Sequence, residues 1–223
     1  MTKIVDLSMK MEDNMFTFPG NKPFQVIGPY SAVSGKNREY CYELGFTTQT
    51  GTHIQGSHYF LRDGKTIDTY PLEIFEGEII KVDLVGETEI NNNILIERLG
   101  LEKNLVDKAV LLHTGYMEYL IEEMILNKRI SISDAIKNKP GLTLDGAKFL
   151  TSKKPKILGI DSFGFEPSTS IDFEVNHYLC EKDIVILEGL VNLGSVFNGA
   201  WLEAFPLSIS GVEGTPCRAI ARI

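Results

Sequence analysis

Cysteine is scarce in this chain of 223 residues: there are three, Cys41, Cys180 and Cys217, without CxxC or zinc-finger spacing. An odd number of widely separated cysteines argues against a disulfide framework and is typical of reduced residues in a cytoplasmic protein. No apolar run approaches the roughly 20 residues that cross a bilayer, and the first residues lack a signal-peptide pattern. We therefore expect a cytoplasmic protein with no membrane segment.

Basic residues are also in deficit, with 22 Lys and Arg against 30 Asp and Glu and a formal charge of -8. No local cluster of Lys and Arg reverses this balance. A surface of this sign repels phosphate backbones and anionic lipid. Nucleic acids and membranes are therefore not expected partners.

Repeats, low-complexity tracts and Gly/Ser/Pro-rich linkers are absent, so we predict a single domain over residues 1–223. Apolar patterning predicts strands at 3–7, 24–27, 40–48, 79–85, 109–113, 157–161, 184–187, 207–210 and 218–223, and helices at 92–99, 116–127, 131–137, 143–151 and 171–181. This order predicts an α/β protein with a mixed sheet, outer helices and an antiparallel layer from the N-terminal part.

The segment QTGTHIQGSHYF, residues 49–60, concentrates polar side chains and glycines around His53 directly after a predicted strand. Such a loop can turn tightly and bring polar side chains together, as binding sites require. A lone histidine in a turn is more often held by a backbone carbonyl than used for chemistry. The segment alone leaves both interpretations open.

Several motifs in a fixed order resemble the cyclase family, which includes bacterial kynurenine formamidase and isatin hydrolase. Gly51-Thr52-His53 matches part of the signature HxGTHxDxPxH. Further similar motifs are FPG at 18–20, DGK at 63–65, PL at 71–72, LHTGY at 112–116, GIDS at 159–162, ILEGL at 186–190, PL at 206–207, GTP at 214–216 and RA at 218–219. The resemblance implies a swivelling β/β/α fold, a homodimer or homotetramer, and hydrolysis or closure of amides, lactams and lactones with one or two divalent metals.

The metal-ligand positions of that family are mostly changed here. Its histidine and aspartate ligands correspond to Gln49, Gln55, Tyr59 and Asn176, and the matching ligands are His53 and Glu188 alone. Amide oxygens are neutral and a phenol is protonated near pH 7, so both are weak ligands, whereas even catalytic zinc sites use three protein ligands. We therefore expect no tightly held metal.

An alternative metal site remains open. His58 and His177 each lie one residue from a family ligand position, and with His53 and Glu188 they would bind zinc or manganese. This requires a shift of one residue at two separate places, which turns a side chain to another face.

The candidate catalytic residues are His53 as general base, Glu188 as its orienting partner and Tyr59 as proton donor. Candidate substrate-binding residues are Gln49, Gln55, His58, His177 and Phe18. Asp161 and Glu166 follow a predicted strand and either line a pocket or act as caps or solvated loop residues.

We expect a hydrolase, similar to arylformamidases, that acts on an amide, lactam or ester bond of a small cyclic or aryl compound. A small-molecule-binding module without turnover is the alternative on the same scaffold, because fold does not fix function. A ring-forming or isomerising enzyme that needs only acid and base groups is the third interpretation.

Overall fold

The computed structural model describes residues 3–13, 15–30, 40–127 and 131–223. Within these ranges the strands are β1 (Ile4–Asp6), β2 (Gln25–Tyr30), β3 (Cys41–Gly45), β4 (His53–Gln55), β5 (Glu76–Asp83), β6 (Glu89–Ile90), β7 (Ala109–His113), β8 (Gly141–Leu142), β9 (Ile157–Ile160), β10 (Val185–Glu188), β11 (Trp201–Glu203), β12 (Gly214–Pro216) and β13 (Ile220–Arg222). The α-helices are α1 (Asn92–Leu99), α2 (Tyr116–Leu120), α3 (Ile132–Lys137), α4 (Leu144–Ser152) and α5 (Glu174–Glu181).

Nine of these strands form one mixed sheet in the order β1-β13-β11-β5-β7-β9-β10-β4-β12. The four central strands β5, β7, β9 and β10 are parallel to one another. The strands on either side of them, β11, β13 and β1 on one side and β4 and β12 on the other, pair antiparallel. The carboxyl ends of the parallel strands therefore meet at one edge, which is where open α/β sheets bind ligands. The remaining strands form two small sheets, β2 with β3 and β6 with β8.

Alternate residues of the central strands serve two separate cores. Along β7, Val110 and Leu112 face a core shared with α1, α4 and α5, whereas Ala109 and Leu111 face a core closed by the outer strands and short 3-10 turns. Both cores are buried, so the central strands are apolar on both faces, as parallel strands usually are. Three of the five predicted helices, α1, α4 and α5, thus cover one face of the sheet.

A third apolar cluster ties the N-terminal segment to the helix that follows β7. Met15 and Phe16 pack with Met117 and Leu120 of α2. This contact carries the segment containing Phe18 across the carboxyl edge of the sheet. None of the helices in the described ranges combines the length and hydropathy needed to cross a bilayer.

The mixed α/β architecture predicted from the sequence is confirmed, and the differences lie in particular elements. Residues 207–210 form no strand, since only Pro206 makes an isolated bridge there, with Cys217. The N-terminal part supplies β1 and β4 to the main sheet, while β2 and β3 pair only with each other. The helix predicted at 116–127 changes to π-helical geometry at Ile121–Leu126.

Candidate active site

His53 lies on β4, a strand of three residues between β10 and β12. It is directly opposite Glu188 of β10, and residues opposite each other in an antiparallel pair project from the same face. Both residues are about 3% exposed. The sheet register therefore brings together an imidazole and a carboxylate that are 135 residues apart in the chain.

Two glycines permit this close approach. Gly51 and Gly189 have φ of 63° and 69°, a region that favours glycine, and a side chain at Gly189 would lie 2.7 Å from the Gly51 carbonyl oxygen. Between them, the Thr52 hydroxyl donates to the Gly189 carbonyl at 2.5 Å and accepts from the Met9 amide at 2.8 Å. The close approach of the two glycines and the hydrogen bond from the Thr52 side chain to the Gly189 backbone thus hold the motifs around His53 and Glu188 together.

Both ring nitrogens of His53 have a neighbouring oxygen. Nδ1 is 2.8 Å from the Gly51 carbonyl oxygen, so this nitrogen carries the hydrogen and donates it. Nε2 is 3.2 Å from Glu188 Oε2, an ion-pair distance without the alignment of a hydrogen bond. Burial acts to lower the pKa of His53, but the Glu188 carboxylate and the Gly51 carbonyl outweigh it and raise the pKa above 6.5.

A cavity of about 500 Å³ opens in front of this pair at the carboxyl edge of the sheet. Its aromatic lining residues are Phe18, Tyr59, Phe60, Phe163 and Phe173, and its polar side chains include Gln49, Lys139, Glu166 and Asn176. Rings with a few convergent polar groups are the usual construction of a small-molecule site.

Most of the candidates from the sequence meet at this cavity. Gln49, Tyr59 and Phe18 line it together with His53 and Glu188. Gln55 is fully buried on β4 outside the lining set, and its Oε1 accepts a hydrogen bond from Gln49 Nε2 at 2.6 Å. It therefore acts on the cavity through Gln49.

The two further histidines, expected from the sequence to bind substrate, are not among the residues that line this cavity. His58 lies in the 3-10 turn Ser57–Tyr59 and is absent from the cavity wall. His177 is half exposed, with Nδ1 3.3 Å from Glu181 Oε1 on the outside of α5. Its neighbour Asn176 is buried and lines the cavity, since adjacent helix residues point about 100° apart.

The carboxylates that follow β9 have different roles. Asp161 accepts hydrogen bonds from the Thr114 and Gly115 amides and the Thr114 hydroxyl, at 2.6 to 3.0 Å, and so holds the start of α2. Burial raises its pKa. Glu166 lines the cavity, and its Oε1 accepts from the backbone amide of Asn176 at 2.8 Å.

Lys139 is a charged cavity residue that sequence reasoning missed. It is 7% exposed, and its ammonium donates to the carbonyl oxygens of Gly164, at 3.3 Å, and of Glu166. Burial lowers its pKa to about 8, against the opposing effect of Glu188 and Glu166. Lysines are seldom buried, so nothing in the local pattern before Pro140 indicates this position.

These side chains do not fit a divalent metal. In the described part of the chain, no three His, Cys, Asp or Glu side chains are grouped to hold one. Among the described residues, His53 is the single imidazole that lines the cavity, it is engaged with Glu188, and the Lys139 ammonium in the same wall repels a cation. His58 and His177 do not complete the set.

Comparison with known proteins identifies the family. The family model described as "Putative cyclase" matches residues 5–167, well over half of the chain. The chain belongs to the cyclase family. This confirms the resemblance found in the sequence motifs.

Relatives of this cyclase-family chain align over its whole length. It is 28% identical to kynurenine formamidase of Bacillus anthracis over 225 aligned positions, covering 99% of this chain and 98% of that protein. It is also 28% identical to the kynurenine formamidase of Bacillus cereus, covering 98% and 96%.

Solved structures of similar shape confirm the fold. Isatin hydrolase A from Labrenzia aggregata, bound to benzyl benzoate, superposes with a TM-score of 0.81 at 19% identity, covering 100% of this chain and 94% of that one. A structure titled as a potential metal-dependent hydrolase with cyclase activity gives a TM-score of 0.78 at 20% identity, covering 100% and 98%.

Proposed function

We propose that this cyclase-family chain is a hydrolase of an amide, lactam or ester bond in a small cyclic or aryl compound, and that it acts without a tightly held metal. The observation that carries the proposal is the buried pair of His53 and Glu188 in the wall of an aromatic cavity. Full-length relatives named kynurenine formamidase support amide hydrolysis.

In this proposal His53 is the general base. Its Nδ1 hydrogen is donated to the Gly51 carbonyl, so the neutral ring takes up a proton at Nε2, the nitrogen that lies 3.2 Å from Glu188 Oε2. A water from the cavity must therefore reach the buried Nε2 beside Glu188, whose charge stabilises the imidazolium that forms. Because Glu188 also raises the pKa of His53, the base is available only above that pKa.

Tyr59 acts on the carbonyl oxygen in the same proposal. Burial, assisted by the negative charge of Glu188, raises the pKa of Tyr59 well above its usual value, so the phenol keeps its proton and serves as a hydrogen-bond donor. Gln49 lines the cavity beside it, but its amide nitrogen already donates to Gln55 Oε1 at 2.6 Å and to Glu213 Oε1 at 3.2 Å, so Tyr59 is the donor in this proposal. Donors aimed at a developing oxyanion stabilise the transition state.

The test is hydrolysis of formanilide and phenyl formate by protein treated with chelator and then freed of it. We expect activity to persist, and His53→Ala to lower it about 10²- to 10⁴-fold, the usual contribution of a general base. His113→Ala is the control, because His113 lies outside the cavity and pairs with Asp83 at 2.8 Å. Activity that returns only with added zinc or manganese would overturn the metal-free mechanism.

A small-molecule-binding module without turnover is the second candidate. It is favoured by the amides and phenol that occupy the family's ligand positions, since these groups form hydrogen bonds but bind metals weakly. Saturable binding of an aryl amide, with no product formed over many hours, would support this candidate against the hydrolase.

We further propose a homodimer or homotetramer located in the cytoplasm. The two-stranded sheet β2–β3 supports assembly, because Val26, Tyr42 and Leu44 are 42 to 55% exposed on it. Exposed apolar patches of this kind often mark protein interfaces. All three cysteines are described and free of disulfides, in keeping with a reducing compartment.

A further inference from the structure

Three buried oxygen atoms at the cavity have no hydrogen-bond donor in the described structure. They are Glu166 Oε2, Asn176 Oδ1 and Glu188 Oε1. Their residues line the same cavity and are only 3 to 4% exposed. A buried acceptor that has lost its hydration and accepts no hydrogen bond costs free energy. Such acceptors in a cavity therefore indicate a ligand that supplies the donor.

The two carboxylates are held in place by their other oxygen. Glu166 Oε1 accepts from the Asn176 amide at 2.8 Å, and Glu188 Oε2 is 3.2 Å from His53 Nε2. Each side chain is therefore fixed by one oxygen and leaves the second one unpaired. An ionised carboxylate accepts only, so the matching ligand group must donate.

Lys139 is a hydrogen-bond donor at the same cavity. An ammonium has three N–H donors, and the carbonyls of Gly164 and Glu166 account for two. In the described ranges, no carboxylate lies within ion-pair distance of Lys139 Nζ, and its further contact is with the face of the Phe163 ring, 5.7 Å from the ring centroid. Phe163 lines the same cavity, so the third donor, which has no oxygen partner, can serve a ligand oxygen there. When His53 is protonated, the charges of Lys139 and His53 balance those of Glu166 and Glu188, which favours a neutral ligand.

We propose that the cavity recognises a neutral amide or lactam through its N–H, which an unpaired oxygen of Glu166, Asn176 or Glu188 accepts, while Lys139 donates to its carbonyl oxygen. This recognition rests on the proposed hydrolase and narrows its substrates to compounds that bear an N–H group. Esters and fully alkylated amides are then poor ligands. Glu166, Asn176 and Lys139 become specificity residues.

The test compares binding of benzamide and acetophenone, which have nearly the same shape and differ by an NH₂ in place of CH₃. We expect the wild-type protein to bind benzamide about tenfold or more tightly, because acetophenone leaves the buried acceptors unpaired. Titration followed by ligand-observed NMR measures both affinities and detects any benzoate that forms. Equal affinities, or no binding of benzamide in the millimolar range, would overturn the proposal.

Glu166→Gln tests the acceptor role with little change in shape. Its amide oxygen can still accept from Asn176, while the other position becomes a donor, so we expect the preference for benzamide to fall about fivefold or more. Glu118→Gln is the matched control. Glu118 Oε1 also accepts a backbone amide, that of Asn192, and its Oε2 is also unpaired, but it lies outside this cavity.

The outcomes separate this inference from the proposed hydrolase. Preference for benzamide without hydrolysis of formanilide or phenyl formate supports N–H recognition and defeats the hydrolase. Hydrolysis with no preference for benzamide supports the hydrolase and overturns N–H recognition. An equal loss of both ligands in Glu166→Gln, with Glu118→Gln unchanged, would assign Glu166 a structural role and overturn its role in recognition.

Discussion

Burial and the neighbouring carboxylate shift the pKa of His53 in opposite directions. Burial disfavours the imidazolium, whereas Glu188 at 3.2 Å and the Gly51 carbonyl favour it, and the net pKa is raised above 6.5. Because the folded-state pKa is raised, the charged pair stabilises the fold fully below pH 6.5, and this contribution is lost as pH rises through the folded-state pKa.

Glu188→Gln removes the charge and keeps the shape, so burial then dominates. We expect the pKa of His53 to fall in this variant and the acidic limb of the activity profile to move to lower pH with it. NMR titration of the His53 ring in chelator-treated protein measures the change directly. A His53 pKa that is the same in wild type and variant would show that Glu188 does not control it.

The residues of the site differ in how far sequence could reveal them. His53 and Glu188 stand in motifs with a family pattern, and the structure places them opposite each other. Lys139 stands in no motif, and its burial depends on carbonyls of the loop at 164–166, which a local pattern does not reveal. Asn176 and His177 are adjacent, so only the orientation of α5 decides which one faces the cavity.

Among the elements, long apolar strands were predictable and short non-local ones were not. The strand Ala109–His113 and the helix Asn92–Leu99 have the predicted bounds, because each carries its own apolar pattern. The three-residue strand β4 was predicted as loop, since it exists through pairing with β10 and β12, more than 120 residues away. Tertiary pairing outweighs local turn chemistry there.

The contact between β8 and the loop at 165–167 is close enough to need glycine. A Cβ at Gly141 would lie 2.3 Å from the backbone of Glu166 and Pro167. We expect Gly141→Ala to destabilise the fold by about 1–3 kcal/mol, as overpacking usually does, and to lower the melting temperature by roughly 2–12 °C. It should also weaken ligand binding, because this contact positions Lys139 and Glu166.

Gly194→Ala is the control for this variant, since an added methyl group there meets no atom closer than 3.7 Å. Thermal unfolding and benzamide titration of both variants provide the comparison. If Gly141→Ala melts with the wild type and binds as well, the close contact between β8 and the loop does not set the geometry of the cavity.

At the scale of the whole molecule, the sheet β2–β3 is poorly covered by the rest of the chain. Val26 and Leu44 are directly opposite each other across it, and they are 42% and 55% exposed. A two-stranded sheet is marginally stable alone, so apolar side chains on it need a covering surface. A second copy of the chain would supply that cover, in line with the proposed homodimer or homotetramer.

Leu44→Asp places a charge in the expected interface, and a stable interface of about 800 Å² per partner does not tolerate an unpaired buried charge. We expect light scattering to give a mass of two or four chains for the wild type, and a smaller, concentration-dependent mass for Leu44→Asp.

Leu101→Asp is the control, because Leu101 is equally exposed, at 54%, and lies after α1 far from this sheet in the chain. A monomeric wild type would contradict the assembly, and an unchanged mass in Leu44→Asp would move the interface to another surface. If the variant is a folded monomer that still binds benzamide, the cavity is complete within one chain, since every group assigned to N–H recognition comes from it.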